Sequence, residues 1–295
     1  MPFHFKKKES MPDAIWRLCR ERVDAALDYL KAGGPQAVHN VRREIKKLRS
    51  ILRLVRGEIG ESVYRKNTVA LRTAAKRLTA LRDAQMELNT FEKLAGHFGH
   101  KLSARTLSKM KKALQKNCRA EERKFLRDGS IRAVNQILRK LKRRAGNWAV
   151  KSNDWAVLET GLKKTYCRGR ETLETVREKP LPENFHEWRK RVKDLWHELR
   201  LLGPARPKRL RMAVDELEML GKYLGDDHDL VMLEGFLASR LKAAGDADKL
   251  NESACSRQRK LRAAALKLGG RFYSEKPDRF CRRIGNYWRI WRGEK

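Results

Sequence analysis

Apolar residues recur at alternating steps of three and four along two stretches of the chain. This is the period of a helix face that packs against neighbouring elements. In residues 38–56 the apolar stripe consists of Val38, Val41, Ile45, Leu48, Leu52 and Val55. In residues 185–202 it consists of Phe185, Trp188, Val192, Leu195, Leu199 and Leu202. Both stretches are therefore predicted to be amphipathic helices with one buried face.

Each stretch also carries basic residues one position after most of the apolar ones. The first basic row is His39, Arg42, Lys46, Arg49 and Arg53. The second basic row, 147 residues later, is His186, Arg189, Lys193 and Arg200, with Trp196 standing where the first row has Arg49. Successive helical residues are about 100° apart, so these cations border the buried face. Like charges at this spacing destabilise a helix by a few tenths of a kcal/mol per pair, so the rows point to binding of an anion.

The rest of the chain also has the helical period. Further helices are predicted near residues 12–30, 62–81, 83–96, 103–126, 130–144, 155–178, 208–224, 229–243, 247–268 and 277–291. Asp83 and Asp229 are interpreted as helix caps, and glycines such as Gly225 and the pair Gly269-Gly270 as helix ends. No run alternates apolar and polar residues for long without also fitting a helix. The predicted fold class is all-α.

The repeat extends beyond the basic rows. Leu78, Asp83 and Met86 in LTALRDAQM recur as Leu224, Asp229 and Met232 in LGDDHDLVM. At the same shift of 146 residues, Lys76 matches Lys222 and Arg82 matches His228. The sequence therefore predicts a duplicated helical unit, with repeats at 11–146 and 155–292 related by a pseudo-two-fold axis.

Composition narrows the choice of partner. The chain of 295 residues has a net charge of +34, spread over every predicted helix, which favours a polyanionic ligand. Nucleic acid, an acidic membrane surface or a chain of inorganic phosphate would each serve. No apolar run approaches the roughly 18 residues of a membrane span, so no membrane insertion is expected. The five cysteines form no CxxC pair, which is typical of reduced cysteines in a cytoplasmic protein.

One stretch, Asp226-Asp227-His228-Asp229, resembles metal or phosphohydrolase chemistry. The first repeat has Arg82-Asp83 at the equivalent place, which does not suit a metal ion. The sequence contains no Gly-rich phosphate loop and no nucleophile elbow. We therefore expect no catalytic residue, metal site or cofactor, and predict that the protein is not an enzyme.

A helix that opens with His, followed by Arg three residues on and Lys four further, occurs twice here. Together with Leu-Arg-Asp at 81–83 and Leu-Gly-Asp-Asp-His-Asp at 224–229, it resembles the CHAD family, the conserved histidine α-helical domain. The resemblance covers about residues 11–292. It implies two antiparallel four-helix bundles with pseudo-two-fold symmetry and a central basic groove or pore. It also implies binding of inorganic polyphosphate and, as in many members, association with polyphosphate granules.

Position by position, the resemblance and its neighbouring cations imply one set of polyphosphate ligands. They are His39, Arg42, Arg43, Lys46, Arg49, Arg53, Lys76, Arg82, His186, Arg189, Lys190, Lys193, Arg200, Lys222 and His228. Arginine can bind two phosphate oxygens at once, and lysine supplies a mobile point charge. Sequence-independent binding of nucleic acid is the alternative, with Trp196 available for base stacking. The sequence leaves open whether the anion threads a pore or lies in a groove, the preferred chain length and the oligomeric state.

Overall fold

A computed structural model describes residues 3–34, 36–98, 104–203, 208–240 and 246–293. These ranges form twelve helices and no strands, which confirms the predicted all-α class. The first seven are α1 (Met11–Ala32), α2 (Ala37–Leu54), α3 (Arg56–Ile59), α4 (Glu61–Arg77), α5 (Thr79–Phe98), α6 (Ala104–Arg127) and α7 (Ser130–Ala145). The other five are α8 (Ala156–Glu178), α9 (Pro182–Leu201), α10 (Lys208–Arg240), α11 (Asp246–Phe272) and α12 (Pro277–Arg292). Within the described ranges, none of the helices is long and apolar enough to cross a membrane.

Local sequence signals fix several helix starts. The Ser10 hydroxyl caps α1 by accepting a hydrogen bond of 3.2 Å from the backbone N–H of Asp13. Proline occupies the first turn of α1, α9 and α12, where its missing N–H costs nothing because that N–H would have no partner in the helix. These signals determine where α1, α9 and α12 begin.

Both predicted apolar stripes are buried. Each of the twelve stripe residues is 2% exposed or less, so α2 and α9 turn one complete face into the core. Burial of a large aliphatic or aromatic side chain contributes roughly 1.5–3 kcal/mol. The two stripes are therefore strong enough to fix the rotation of both helices, and with it the direction of the basic rows.

Two predicted helix caps are wrong. Asp83 lies inside α5, which begins at Thr79 after a single turn residue, Leu78. Asp229 lies inside α10, which runs without a break through Gly225. A helix can continue through one glycine because the cost, about 1 kcal/mol, is smaller than the gain from packing. The predicted helix end near 243 falls outside the described residues.

The predicted helix end at the glycine pair near the end of the chain is also wrong. Gly269 and Gly270 lie within α11, which continues to Phe272. A Cβ at Gly269 would stand 2.4 Å from the Trp188 indole, so the missing side chain makes room for a buried tryptophan of α9. Gly269 therefore serves packing between α9 and α11.

The helices pack in the same order in both halves of the chain. In the first half α1 packs on α2 and α7, and α5 packs on α6; in the second, α8 packs on α9 and α12, and α10 packs on α11. The halves meet where α2 lies on α8 and α9, and where α5 lies on α10. One large apolar core contains residues of both halves, and a smaller one joins α5, α6, α10 and α11. The smaller core consists of Phe91, Met110, Leu114, Leu230, Ala254 and Leu261.

The crossing of α2 and α8 depends on Gly161. A Cβ there would stand 2.2 Å from the carbonyl oxygen of Arg53 and 2.3 Å from that of Leu54. These are backbone atoms of α2, so they cannot move aside as the end of a flexible side chain would. The two halves can approach this closely only because the side chain is absent.

We expect Gly161→Ala to lower the free energy of unfolding by about 2 kcal/mol, because a methyl group would force the two backbones apart. Urea unfolding followed by circular dichroism measures the change. Gly96→Ala is the matched control, since it is also helical and a Cβ there would meet nothing within 4 Å. Alanine should be neutral or stabilising at Gly96. Equal stability of the two variants would show that the α2–α8 crossing tolerates a larger separation.

Candidate anion-binding site

The two basic rows meet around Lys46. Its ammonium group is crowded by protein atoms, and this loss of water is the main reason why its pKa falls to about 8. Four positive neighbours lower that pKa further, and they come from both halves of the chain: Arg42, Arg189, Arg82 and Lys193. The Lys46 side chain nevertheless remains open to solvent. We call these five residues the cationic cluster.

Arg42 and Arg189 occupy equivalent places in the two repeats but differ in their partners. Arg42 Nη1 donates to the carbonyl oxygen of Ala75 at 2.8 Å and to Thr79 Oγ1 at 3.1 Å. Arg189 lies against Gly225, which stands at the position equivalent to Thr79 and offers no hydroxyl. Its Nε is buried and, within the described residues, has no hydrogen-bond partner. A buried donor without a partner costs about 1–3 kcal/mol, so Arg189 is suited to an incoming anion.

The second basic row lies directly on α10. A Cβ at Gly221 would stand 3.0 Å from Lys193 Cε and 3.1 Å from its Nζ. Gly221 and Gly225 therefore provide the space in which Lys193 and Arg189 lie. A side chain at Gly221 would displace the end of Lys193, whereas a Cβ at Gly225 would contact Arg189 at an ordinary 3.6 Å.

The histidines of the site are held neutral near pH 7. The rings of His186 and His228 lie 4.3 Å apart. Burial, followed by the neighbouring His228 and Lys190, lowers the pKa of His186 to about 4. Burial and the charge of Arg82 also lower the pKa of His39. Neutral imidazoles can donate a hydrogen bond to a phosphate oxygen without adding to the positive charge.

Several other predicted ligands lie away from the cluster. Arg43 is exposed, 3.8 Å from Glu44, and Lys190 is exposed, 3.1 Å from Glu187. Lys76 and Lys222 are exposed on α4 and α10. All four add positive potential around the site, and Arg43 and Lys190 also lower the pKa of His39 and His186.

Arg53 departs from the prediction that it faces the ligand. It is only 8% exposed, and its Nε donates to Glu198 Oε1 at 2.8 Å while its Nη2 lies 3.0 Å from Asp194 Oδ1. The Thr165 hydroxyl donates to the same Glu198 oxygen at 3.1 Å. Burial raises the pKa of the Glu198 carboxyl, and the hydrogen bond from Arg53 opposes that rise. Arg53 thus ties α2 of the first half to α9 of the second.

Trp196 supports cations of the second basic row. Lys193 Nζ lies 4.8 Å and the Arg200 guanidinium 4.5 Å from the centre of its ring. Such cation–π contacts contribute roughly 0.5–1 kcal/mol at exposed sites. The aromatic residue that breaks the basic pattern therefore helps to place the cations on either side of it in the sequence.

A cleft at the far end of the first basic row gathers more arginines. Arg49 and Arg53 of α2 line it together with Arg72, Arg168 and Arg191, and with Tyr64, Thr68 and Asp194. Arg191 is paired with Glu187 and Asp194. Arg72, Arg168 and Arg191 could not be found from the sequence, because they lie on three different helices and share no motif.

The acidic stretch at 226–229 is engaged within the fold. Asp227 is 2% exposed and accepts a hydrogen bond of 2.7 Å from Arg262 Nε. His228 lies against the His186 ring. Within the part of the chain that the structure describes, no three His, Cys, Asp or Glu side chains converge as metal ligands would.

Comparisons with known proteins agree with this architecture. The model of the CHAD domain family matches residues 14–238. The crystal structure of the CHAD domain from the plant Ricinus communis is similar in fold, with a TM-score of 0.60 and 17% sequence identity, over 94% of each chain. A comparison with curated proteins gives no match. Since the family model covers most of the sequence, the chain belongs to the CHAD domain family.

Proposed function

We propose that this protein binds inorganic polyphosphate in a basic groove between its two halves. The observation that supports this most strongly is the cationic cluster, in which Lys46 of the first half shares one site with Arg189 and Lys193 of the second. The cations of the two rows lie close together although they repel one another. A bound polyanion would relieve that repulsion.

The chemistry of the groove suits a chain of phosphates. Each unit of such a chain carries the same charge, so a fixed series of cations can hold it without reading any sequence. Arg189 has an unpartnered donor, Lys46 is open to solvent, and His186 presents a buried Nδ1 without a partner among the described residues. Release of counterions from the polyanion would drive association, as it does for nucleic acids.

The proposed contact residues follow from their position. The cationic cluster would bind phosphate directly, with His39, His186 and His228 as neutral donors and Arg200 and Arg49 extending the rows. Four exposed cations would attract the ligand at longer range: Arg43, Lys76, Lys190 and Lys222. Arg53 would contribute mainly by holding α2 against α9. In this proposal the repeats 11–146 and 155–292 form the two four-helix bundles that border the groove. The protein would act as a binding module, including on polyphosphate granules, and not as an enzyme.

Nucleic acid is the competing polyanion. Base stacking needs an aromatic face that is free to receive a base. The ring of Trp196, the aromatic residue of the second basic row, already holds Lys193 and Arg200. The geometry therefore favours a ligand that is recognised by charge alone.

We expect long-chain polyphosphate to raise the melting temperature, because a ligand that binds only the folded protein stabilises it by about 2.7 kcal/mol at one hundred times its Kd. Differential scanning fluorimetry at physiological salt measures the shift. Single-stranded and duplex nucleic acid, added at equal phosphate concentration, should shift it less and should not displace labelled polyphosphate. Displacement by nucleic acid would reverse the assignment.

Replacement of two cluster residues, Lys46→Gln with Arg189→Gln, should weaken polyphosphate binding by at least about tenfold, since a charge-assisted hydrogen bond contributes about 1.5–3 kcal/mol. The dependence of log Kd on log salt should also become shallower, because two fewer phosphates are neutralised. The matched control is Lys7→Gln with Arg20→Gln, which removes the same charges from exposed positions. If both pairs weaken binding equally, net charge alone attracts the ligand. Circular dichroism checks that both variants remain helical.

Polyphosphate affinity should fall as the pH rises from 7 to 9. The pKa of Lys46 is about 8 in the free protein, so its positive charge is largely present at pH 7 and largely lost at pH 9. Bound phosphate favours the charged form, and deprotonation therefore opposes binding. Lys46→Arg keeps the charge throughout this range and should flatten the pH profile. Fluorescence anisotropy titrations at each pH give the Kd of both proteins. Parallel pH profiles would show that Lys46 does not contact the ligand.

A further inference from the structure

The outer face of α6 carries a second regular series of cations. We name it the α6 ladder, and its members are Arg105, Lys109, Lys112, Lys116, Arg119, Arg123 and Arg127. They follow one another at steps of three and four, so they lie along a single helix face. All seven are exposed. At 1.5 Å per residue the ladder is about 33 Å long.

This face is opposite the one that packs. Met110, Leu114 and Phe125 of α6 are buried, and they point away from the ladder by about half a turn of the helix. Exposed helix faces usually mix acidic and basic residues, which gains a few tenths of a kcal/mol per pair. The two acids of α6, Glu121 and Glu122, lie off the ladder and are half-buried. Ordinary solvation of a surface helix does not explain a face with one sign of charge.

The ladder is not neutralised within the fold. Among the described residues, no ion pair involves any of its seven side chains, although Arg123 Nε donates a hydrogen bond of 3.3 Å to the carbonyl oxygen of Arg119. By contrast Lys111, one position off the ladder, is paired with Glu92 at 3.0 Å. The ladder therefore presents its full charge to solvent.

One end of the ladder lies near the helix junction that carries Arg82 of the cationic cluster. Asp128 directly follows α6, and its pKa is lowered chiefly by a hydrogen bond from Ser130 and also by the charge of Arg77. Arg77 is the last residue of α4, and Arg82 follows in the first turns of α5. The end of the ladder at Arg127 is therefore close to the α4–α5 junction, which carries Arg82.

We propose that the α6 ladder is an outer binding track on which a long polyphosphate chain continues beyond the groove. This proposal rests on the proposed function, and it adds a ligand class: chains long enough to occupy the groove and the ladder together. A ligand held at both places gains from the high effective concentration of its second part. Short phosphate chains would occupy the groove alone.

Other occupants fit the ladder less well. An amphipathic helix that lies in a membrane needs an apolar face turned to the lipid, and the apolar face of α6 is buried against α5. Single-stranded nucleic acid would find no aromatic side chain on the ladder for base stacking. Duplex nucleic acid needs only positive charge, so it is the competitor that the experiment must test.

The test uses two triple variants. The ladder variant carries Lys109→Gln, Lys112→Gln and Lys116→Gln, and the control carries Lys6→Gln, Lys7→Gln and Lys8→Gln. Both variants lose three exposed lysines, and glutamine is a good helix former, so α6 should stay folded. Kd values are measured for tripolyphosphate and for long-chain polyphosphate. The ladder variant should bind the long chain about tenfold more weakly, with tripolyphosphate unchanged. The control should bind both ligands as the unaltered protein does.

Each remaining outcome contradicts the proposal in a different way. If the ladder variant binds the long chain with unchanged affinity, or loses affinity only for duplex DNA, the ladder does not bind polyphosphate. The proposed binding in the groove is unaffected by that result. If the ladder variant and the control lose affinity equally, only net charge acts. If the unaltered protein binds polyphosphate of neither length, the proposed function itself fails.

Discussion

Repulsion between like charges is the constraint on which this structure depends. Cations of α2 and α9 share one site, and nothing in their own chemistry would bring them together. They are held there because each borders an apolar stripe that is almost completely buried. The large core is continuous between the two halves, so hydrophobic burial offsets the electrostatic cost of the cluster.

Arg53 favours one particular packing of α2 against the second half. A buried arginine that pairs with Glu198 and Asp194 gains little net stability compared with an apolar pair, but it strongly penalises any packing in which the partners separate. The close approach at Gly161 imposes a second geometric condition on the same helix, α2. Together they fix how α2 sits on the second half, and therefore where Lys46 stands relative to Arg189.

The helices and the positions of the two basic rows could be predicted from the sequence, because both depend on local spacing alone. The stripe that contains Ile45 and its equivalent Val192 predicted which faces are buried and where the cations lie. The role of Arg53 could not be predicted, because its acidic partners come from a helix more than 140 residues away. The caps assigned to Asp83 and Asp229 failed for a related reason. Whether a glycine or an aspartate ends a helix depends on what packs against it, as Gly269 under Trp188 shows.

The two halves of the chain differ at equivalent positions of their basic rows. Arg42 donates hydrogen bonds to Ala75 and Thr79, whereas the Nε of Arg189, beside Gly225, has no partner among the described residues. Trp196 adds a further difference, because its indole lies beneath the ammonium of Lys193 and the guanidinium of Arg200. The emission of an indole responds to charged groups near its ring, so any shift of these two groups would change the light that Trp196 emits. The second half of the molecule thus contains an intrinsic optical reporter of its own charged surface.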